Sequence, residues 1–149
     1  MINKEEKFTY YHPIVVRYGD LDPHGHVNNA VYLNYLETTR LGYYEKTGIW
    51  KRESGMLTGM VVARIEINYL ASIYFGQSLR VGMRMVDLGT KSMTFDYRIE
   101  AVPGFRPLAD GKFVMVVYDN RSERSIPIPA AWRKKITQFE KRDEINETS

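Results

Sequence analysis

One stretch decides the fold: Tyr18-Gly-Asp-Leu-Asp-Pro-His-Gly-His-Val-Asn-Asn29. Its Gly, Pro, Asp and Asn residues are strong turn signals. The residues before it, Phe8 to Tyr18, are rich in β-branched and aromatic side chains, and Pro13 among them predicts an edge strand or a bulge. The stretch therefore predicts a turn that leads from a first strand into the next element of the chain.

The next element is a long helix, predicted from about Asn29 to Lys46. Apolar and small residues follow the i, i+3, i+4, i+7 spacing of one helix face: Tyr32, Tyr35, Leu36, Thr39 and Tyr43. Asn28 is the predicted N-cap, and Gly48 is the predicted stop. Further apolar residues, among them Leu33 and Leu41, lie off that face, which favours a helix wrapped by a sheet.

The remaining sequence is mostly typical of β-strands. Apolar and polar residues alternate over 61–69, 79–86 and 93–100, which predicts strands with one buried face. Phe113 to Tyr118 is apolar without alternation, which predicts a central strand covered on both faces. The turn signals between these strands are Phe75-Gly76-Gln77, Gly89-Thr90-Lys91 and Pro103-Gly104. Because the connections are short, neighbouring strands are predicted to be antiparallel. Pro127 and Pro129 then predict a short C-terminal helix that runs through about Phe139.

Composition restricts the class of protein. With 149 residues and 44% hydrophobic residues, we expect one domain over residues 1–142 and a disordered tail over 143–149. The absence of cysteine excludes disulfides and favours a reducing, cytoplasmic compartment. The polar first residues argue against a secretory signal, and no apolar run is long enough to span a membrane. The net charge of +3 is scattered, so nucleic acid is not an expected partner.

The turn-rich stretch also concentrates side chains that can do chemistry: Asp20, Asp22, His24 and His26. The helix N-terminus that follows presents unpaired backbone N–H groups and a partial positive charge. Such donors hold a carbonyl oxygen as it becomes an oxyanion, and a nearby carboxylate can act as nucleophile or as base toward water. Together these groups are the parts that acyl transfer requires.

Two other interpretations of the same residues stay open. Asp, Pro, Gly and Asn also build ordinary turns and caps, so a purely structural turn fits the composition equally well. The pattern Asp-x-Asp-x-His-x-His supplies four potential metal ligands. Alternate residues of one extended strand rarely converge on one ion, however, and Pro23 and Gly25 predict a bend. We therefore expect neither a metal nor a cofactor.

A longer segment contains the stretch: Arg17-Tyr-Gly-Asp-Leu-Asp-Pro-His-Gly-His-Val-Asn-Asn-Ala-Val-Tyr-Leu-Asn-Tyr-Leu-Glu37, followed by Arg40. An aromatic residue, a first Asp, a second Asp and a Gly precede a helix rich in Tyr and Leu. This pattern resembles the 4-hydroxybenzoyl-CoA thioesterase branch of the hotdog-fold superfamily. Weaker similarity continues through Ile65-Glu-Ile-Asn-Tyr-Leu70, Gly89-Thr-Lys-Ser-Met-Thr-Phe95 and Ile126-Pro-Ile-Pro129.

The resemblance implies an α+β hotdog fold, in which a five-stranded antiparallel sheet curls around one long central helix. It also implies a dimer that pairs two sheets edge to edge, often assembled into a tetramer, with active sites between subunits. The strand order independently favours an oligomer, because one helix cannot cover five strands. The implied activity is hydrolysis of an acyl-CoA, or alternatively an acyl-carrier-protein, thioester.

The resemblance also assigns roles to residues. The catalytic carboxylate falls on Asp22, and the oxyanion donor falls on the backbone N–H of Asn29. Gly25 would let the backbone approach the thioester closely, whereas Asp20 is implied to be structural. His26 resembles the histidine of plant acyl-carrier-protein thioesterases. Those enzymes have an Asn two positions before that histidine, whereas this chain has His24. Direct participation of His26 and a role in orienting the loop therefore both stay open.

Other residues receive secondary roles. Lys91 and Ser92 lie in a turn that the resemblance places on the CoA side of the site, although an ordinary turn lysine is the simpler interpretation. In a related thioesterase branch a helix carboxylate is the catalytic group, which makes Glu37 a second candidate by resemblance. Because Asp22 is present here, Glu37 is interpreted instead as a buried partner of Arg17 or Arg40. Five residues are candidates for the acyl pocket, and we interpret them mainly as core: Tyr32, Tyr35, Met56, Met60 and Ile67.

Two other functions are compatible with the same fold. Hotdog hydratases and dehydratases acting on enoyl-CoA carry a similar segment, but Asp22 stands here where they have Asn, and no aliphatic-His pair follows Pro23. A non-catalytic acyl-CoA-binding protein is the other alternative, since a fold does not determine a function.

Overall fold

The computed structural model describes residues 7–51, 58–141 and 146–147. The helices are α1 (Val31–Thr47) and α2 (Ala130–Glu140). The strands are β1 (Tyr10–Val15), β2 (Thr58–Ile65), β3 (Asn68–Tyr69), β4 (Ser78–Leu88), β5 (Ser92–Val102), β6 (Pro107–Asp119), β7 (Arg124–Ser125) and β8 (Asn146–Glu147). A single 3₁₀ turn, Tyr18–Asp20, lies between β1 and α1.

The five long strands form one antiparallel sheet in the order β1-β4-β5-β6-β2. The short strands β3 and β7 pair with β6, and β8 pairs in parallel with β4. Pro13 lies in β1 at one edge of the sheet, as its missing N–H predicts. The α+β arrangement of a curled five-stranded sheet, a long helix and a short C-terminal helix is therefore confirmed.

The core lies between α1 and the inner face of the sheet. Leu36 and Tyr43 of α1 are fully buried, as are alternate residues of the central strands. These strand residues are Val81, Met83, Met85, Met93, Phe95 and Ile99. The period-2 pattern thus places one face of β4 and one face of β5 in the core, which is the burial that the sequence predicts. The same prediction is wrong for 61–69 in the single chain, because none of these residues is buried.

The helix begins two residues later than predicted. The Asn28 side chain accepts a hydrogen bond from the Ala30 N–H at 2.9 Å, and its carbonyl oxygen accepts from the Val31 N–H at 2.9 Å. Asn28 therefore satisfies helix donors from a preceding turn rather than as the N-cap itself. Gly48 ends the helix in the left-handed region, with φ 87°, as predicted.

One predicted strand, 61–69, is two strands in the structure. The chain bends after β2, and the carbonyl oxygen of Glu66 crosses so close to Gly111 that a Cβ there would collide with it. The Tyr97 hydroxyl donates to that oxygen at 2.6 Å, which holds the bend. Alternation alone could not predict this break, because its cause lies on a different strand.

The prediction that Phe113 to Tyr118 is covered on both faces is wrong for the single chain. Phe113, Met115 and Val117 are buried on the core face, but Val114 and Val116 on the other face are only half-buried. The helix lies on one side of the sheet, so nothing in the described part of the chain covers the other side fully.

Some sequence predictions concern residues that the structure does not describe. Met56 lies outside the described residues, as do 143–145, 148 and 149 of the predicted tail. No helix within 7–51 and 58–141 is long and apolar enough to span a membrane.

Candidate active site

The loop between β1 and α1 is a tight hairpin held by its own backbone. The Asp22 N–H donates to the His26 carbonyl at 2.7 Å, and the Gly25 N–H donates to the Asp22 carbonyl at 3.0 Å. The Asn28 N–H donates to the Asp20 carbonyl at 2.9 Å, which closes the base of the hairpin. These bonds fix where each polar side chain of the loop lies.

The carboxylate of Asp22 has two different oxygens. Oδ1 accepts backbone N–H bonds from His24 at 2.9 Å and His26 at 3.2 Å, so it is committed to the loop. Oδ2 lies 3.9 Å from His26 Nδ1, and the Asp22 side chain is 24% exposed. Oδ1 therefore holds the loop together, whereas Oδ2 faces the His26 imidazole at a position that solvent can reach.

The backbone N–H of Asn29 is directed away from α1. The carbonyl oxygen of Asn28 accepts from the Val31 N–H, so this carbonyl points along the helix. In a trans peptide the C=O and N–H groups point in opposite directions, so the Asn29 N–H of the same peptide points outward. Among the residues that the structure describes, this N–H has no hydrogen-bond acceptor.

These groups open onto one cavity of about 430 Å³. Its lining residues are Asp22, His26, Val27, Asn29, Tyr32, Tyr69, Leu70, Ala71 and Ser72. This volume falls within the range of about 300–1,000 Å³ that is typical of small-molecule sites. A carboxylate, an imidazole and a helix N-terminus therefore line the same space.

Asp20 is structurally committed, unlike Asp22. Its side chain is 2% exposed and accepts hydrogen bonds from the Arg17 N–H at 2.9 Å and the Tyr35 hydroxyl at 2.8 Å. Burial alone would raise the pKa of Asp20, but these hydrogen bonds and the Arg17 guanidinium together lower the pKa below its ordinary value. Burial and the Asp20 carboxylate in turn raise the pKa of Tyr35.

The Asp20→Asn variant should therefore lose stability in a pH-dependent way. Because the folded state lowers the pKa of Asp20, the ionised carboxyl stabilises the protein fully above its unfolded pKa of about 3.9. This stabilisation is lost as the pH falls through the folded-state pKa. Urea unfolding should show a deficit of about 1–3 kcal/mol at pH 7 that shrinks below about pH 4. A deficit that stays constant with pH would contradict this role.

The other predicted residues of the loop are Gly25, His24 and His26, and of these only His26 lines the cavity. Gly25 has φ 82°, and no atom lies within 4 Å of the position a Cβ would take. It does not line the cavity, so the turn itself gives a sufficient reason for glycine. The His26 ring lies edge-on to the Tyr74 ring, with 5.4 Å between the ring centroids, and stacks on the His24 ring, with 6.2 Å between the centroids. His24 is exposed at the tip of the hairpin.

Two predicted substrate-binding residues are far from this cavity within one chain. Lys91 and Ser92 lie beside Val116 and Val117 of β6, whereas Tyr69 of the cavity pairs with Ala109. At about 3.3 Å per residue, these two points on β6 are roughly 25 Å apart. A single chain does not bring Lys91 and Ser92 together with Asp22.

The prediction for Glu37 is wrong for the single chain. Glu37 is exposed, and Arg17 pairs with Asp20 instead. Arg40 is buried over the Phe113 ring, with 5.2 Å between its guanidinium carbon and the ring centroid. Within the described chain, therefore, neither arginine pairs with Glu37.

Sequence reasoning did not assign the wall of the cavity formed by 69–72. Tyr69 and Leu70 are about half-exposed apolar residues directly after the bend at Glu66. In the sequence this apolar pair only continues the alternating pattern of the strand before it, so it is a weak signal of a binding site. Only the fold brings the pair opposite Asn29. Tyr32, by contrast, lines the cavity, whereas Tyr35 is core.

No group of three or more His, Asp or Glu side chains in the described ranges is arranged to hold a metal ion. In particular, the carboxylate of Asp20 turns into the core toward Tyr35, away from His24. The four potential ligands in the loop therefore do not converge.

The chain is similar to several known thioesterases. A family model described as the thioesterase-like superfamily matches residues 16–136. A thioesterase from Thermus thermophilus, solved in complex with coenzyme A and Zn, is 37% identical with a TM-score of 0.80, over 92% of this chain and 98% of that one. The long-chain acyl-CoA thioesterase FadM of Escherichia coli is 28% identical over 86% of this chain and 97% of its own length. A chloroplastic acyl-acyl carrier protein thioesterase of Arabidopsis thaliana is 30% identical over 87% of this chain and 68% of its own.

Proposed function

The chain belongs to the thioesterase-like superfamily and is a hotdog-fold thioester hydrolase, and we propose that it cleaves acyl-CoA with Asp22 as its essential carboxylate. The observation that carries this proposal is the convergence of Asp22, His26 and Asn29 on one cavity. The coenzyme A bound to the similar Thermus thermophilus thioesterase supports CoA as the thiol carrier. Because the chain has no cysteine, we propose the cytoplasm as its compartment.

The proposed reaction begins at the thioester carbonyl carbon. Oδ2 of Asp22 either takes a proton from an attacking water or attacks the carbon directly, because Oδ1 is occupied by loop N–H bonds. The carbonyl oxygen becomes an oxyanion and is held by the outward-pointing Asn29 N–H and the helix N-terminus. The C–S bond then breaks, and the thiolate leaves and takes up a proton. If Asp22 itself attacks, the acyl group is left on Asp22 as an anhydride, and a water then hydrolyses this anhydride and frees the Asp22 carboxylate. The products are a carboxylic acid and a thiol.

The remaining loop and helix residues have supporting roles in this proposal. The His26 imidazole lies beside Oδ2 and is placed to hold the water or to give a proton to the departing sulfur. Tyr32 is 4% exposed and forms the floor of the cavity on which the acyl group rests. Gly25 does not line the cavity, and its part in this proposal is to allow the turn that positions Asp22 and His26.

We further propose that two copies of the chain pair along β2. Within the described residues, β2 pairs only with β6, so its other edge is free. Val61 is 43% exposed and Val62 is 45% exposed on that strand, and Leu33 and Leu41 of α1 are also exposed. A free edge with exposed apolar residues favours pairing with another strand. Two such dimers could assemble into the tetramer that the resemblance implies.

Antiparallel pairing of two β2 strands would also explain the distant Lys91 and Ser92. β2 begins opposite Asp119, near Lys91, and ends opposite Phe113, toward the cavity. A two-fold axis between the strands places the beginning of one β2 beside the end of the other. Lys91 and Ser92 of the partner subunit would then approach the cavity that holds Asp22, where the Lys91 ammonium can pair with a CoA phosphate.

The Lys91→Ala variant should then raise the KM for acyl-CoA about 3- to 10-fold, with little change in kcat, because a surface phosphate contact contributes about 1 kcal/mol. Lys134→Ala, which removes a charge from the exposed side of α2, is the control and should leave KM unchanged. The effect should weaken at high salt. Equal KM values in the two variants would exclude Lys91 from the CoA site.

The proposed function is tested with a panel of acyl-CoA esters of different chain length and aryl group, using a dye that traps the free thiol. Acyl-carrier-protein esters form a second arm of the panel. We expect thiol release from at least one acyl-CoA. Hydration of an enoyl-CoA without thiol release would instead indicate a hydratase, and binding of acyl-CoA without any turnover would indicate a binding protein.

A further inference from the structure

Tyr69 contacts the candidate oxyanion site without belonging to the loop or to α1. Its hydroxyl donates to the Asn29 carbonyl oxygen at 3.3 Å. Its ring packs edge-on against Tyr32, with 4.9 Å between the centroids and 70° between the planes. The residue thus contacts both the peptide at the mouth of the helix and the floor of the cavity.

The main chain at Tyr69 is anchored to the sheet. Tyr69 pairs with Ala109 in the β3–β6 ladder, and the next N–H, that of Leu70, donates to the Leu108 carbonyl at 3.0 Å. The Asn68 side chain adds a bond to Asp110 Oδ1 at 3.0 Å. The Tyr69 hydroxyl is therefore presented from the rigid part of the fold, not from a free loop.

Two successive peptide groups flank the Asn29 Cα, and both are held. The peptide before it is fixed by the bond from the Val31 N–H to the Asn28 carbonyl. The peptide after it is held at its oxygen by the Tyr69 hydroxyl and at its Ala30 N–H by the Asn28 side chain. With both planes held, the backbone angles of Asn29 are restricted, and so is the direction of its N–H.

We propose that Tyr69 is a positioning residue for the oxyanion donor: it ties the Asn29–Ala30 peptide to the sheet and so directs the Asn29 N–H into the cavity. This inference rests on the proposed function, because it assigns Tyr69 a part in stabilising the oxyanion. A donor that is fixed before the reaction stabilises the transition state without reorganisation. If the Tyr69 hydroxyl is removed and the donor is no longer fixed, kcat should therefore fall while the affinity for substrate stays the same.

The test is Tyr69→Phe, which removes the hydroxyl and keeps the ring on Tyr32. The matched control is Tyr11→Phe, because the Tyr11 hydroxyl also bonds a backbone group at 3.3 Å, the Phe8 N–H, remote from the cavity. With a substrate from the acyl-CoA panel, kcat of Tyr69→Phe should fall about 3- to 10-fold while KM stays within about twofold, as expected for one lost hydrogen bond. Tyr11→Phe should keep the wild-type kcat and KM.

A second measurement does not depend on turnover. The Asn29 carbonyl and the Ala30 N–H belong to the same peptide, so the Ala30 amide resonance should shift in Tyr69→Phe and not in Tyr11→Phe. An unchanged kcat in Tyr69→Phe would overturn the inference. So would a raised KM with an unchanged kcat, because the hydroxyl would then contact substrate.

The two failures are separable. If the wild-type protein hydrolyses no member of the panel, the proposed function fails. If the wild type is active, Asp22→Asn is inactive and Tyr69→Phe matches the wild type, only the positioning role fails.

Discussion

The Asp22→Asn variant is expected to lose about 10²- to 10⁴-fold in kcat and to unfold at the same temperature as the wild type. The amide oxygen of Asn can still accept the His24 and His26 N–H bonds that Oδ1 accepts, so the hairpin should keep its shape. The amide has no basic or nucleophilic oxygen to replace Oδ2. The change therefore removes the chemistry and leaves the architecture.

The matched control is Asp119→Asn. Asp119 also accepts a local backbone N–H, from Arg121 at 3.0 Å, but it lies at the end of β6 that is remote from the cavity of its own chain. Its substitution should leave kcat unchanged, and only kcat is compared, because the proposed dimer brings this end of β6 toward the CoA side of the partner's site. If Asp22→Asn retained wild-type kcat, the carboxylate would have no role in the reaction.

The Asn29→Pro variant tests the oxyanion donor, because proline has no backbone N–H. Residue 29 lies just before the first turn of α1 and is exposed, a position where proline is compatible with a following helix. Losing one preorganised donor typically costs about 10²- to 10³-fold in kcat, and we expect a loss of that size. Circular dichroism and the unfolding temperature check that the helix is retained.

The control for this variant is Asn29→Ala, which removes the side chain and keeps the N–H. Its kcat should stay within about threefold of the wild type, because the Asn29 side chain has no assigned role. Equal losses in Asn29→Ala and Asn29→Pro would assign the effect to the side chain and contradict a backbone oxyanion donor.

The elements set by local pattern could be predicted from the sequence. The helix spacing around Tyr32 and Leu36, the stop at Gly48 and the alternating strands are local patterns, so each was predicted within a few residues. The bend at Glu66 was not, because it depends on the missing side chain of Gly111 on another strand. The coverage of β6 was also predicted wrongly, because an apolar run does not show what lies over each face.

The residues of the candidate site also differ in how far the sequence alone predicts that they lie together. Asp22, His26 and Asn29 lie within one short hairpin, so their proximity follows from the chain itself. Tyr69 is forty positions from Asn29 and reaches it only through the β3–β6 pairing. Lys91 is farther still, and its proposed place at the site requires a second copy of the chain.

The claim that Asp22 drives thioester hydrolysis is tested most directly by measuring both products from one acyl-CoA of the panel, with wild-type and Asp22→Asn protein side by side. The wild type should release free thiol and carboxylic acid in equal amounts, and Asp22→Asn should release both about 10²- to 10⁴-fold more slowly. Equal rates in the two proteins, or acyl-CoA binding by the wild type without either product, would contradict it.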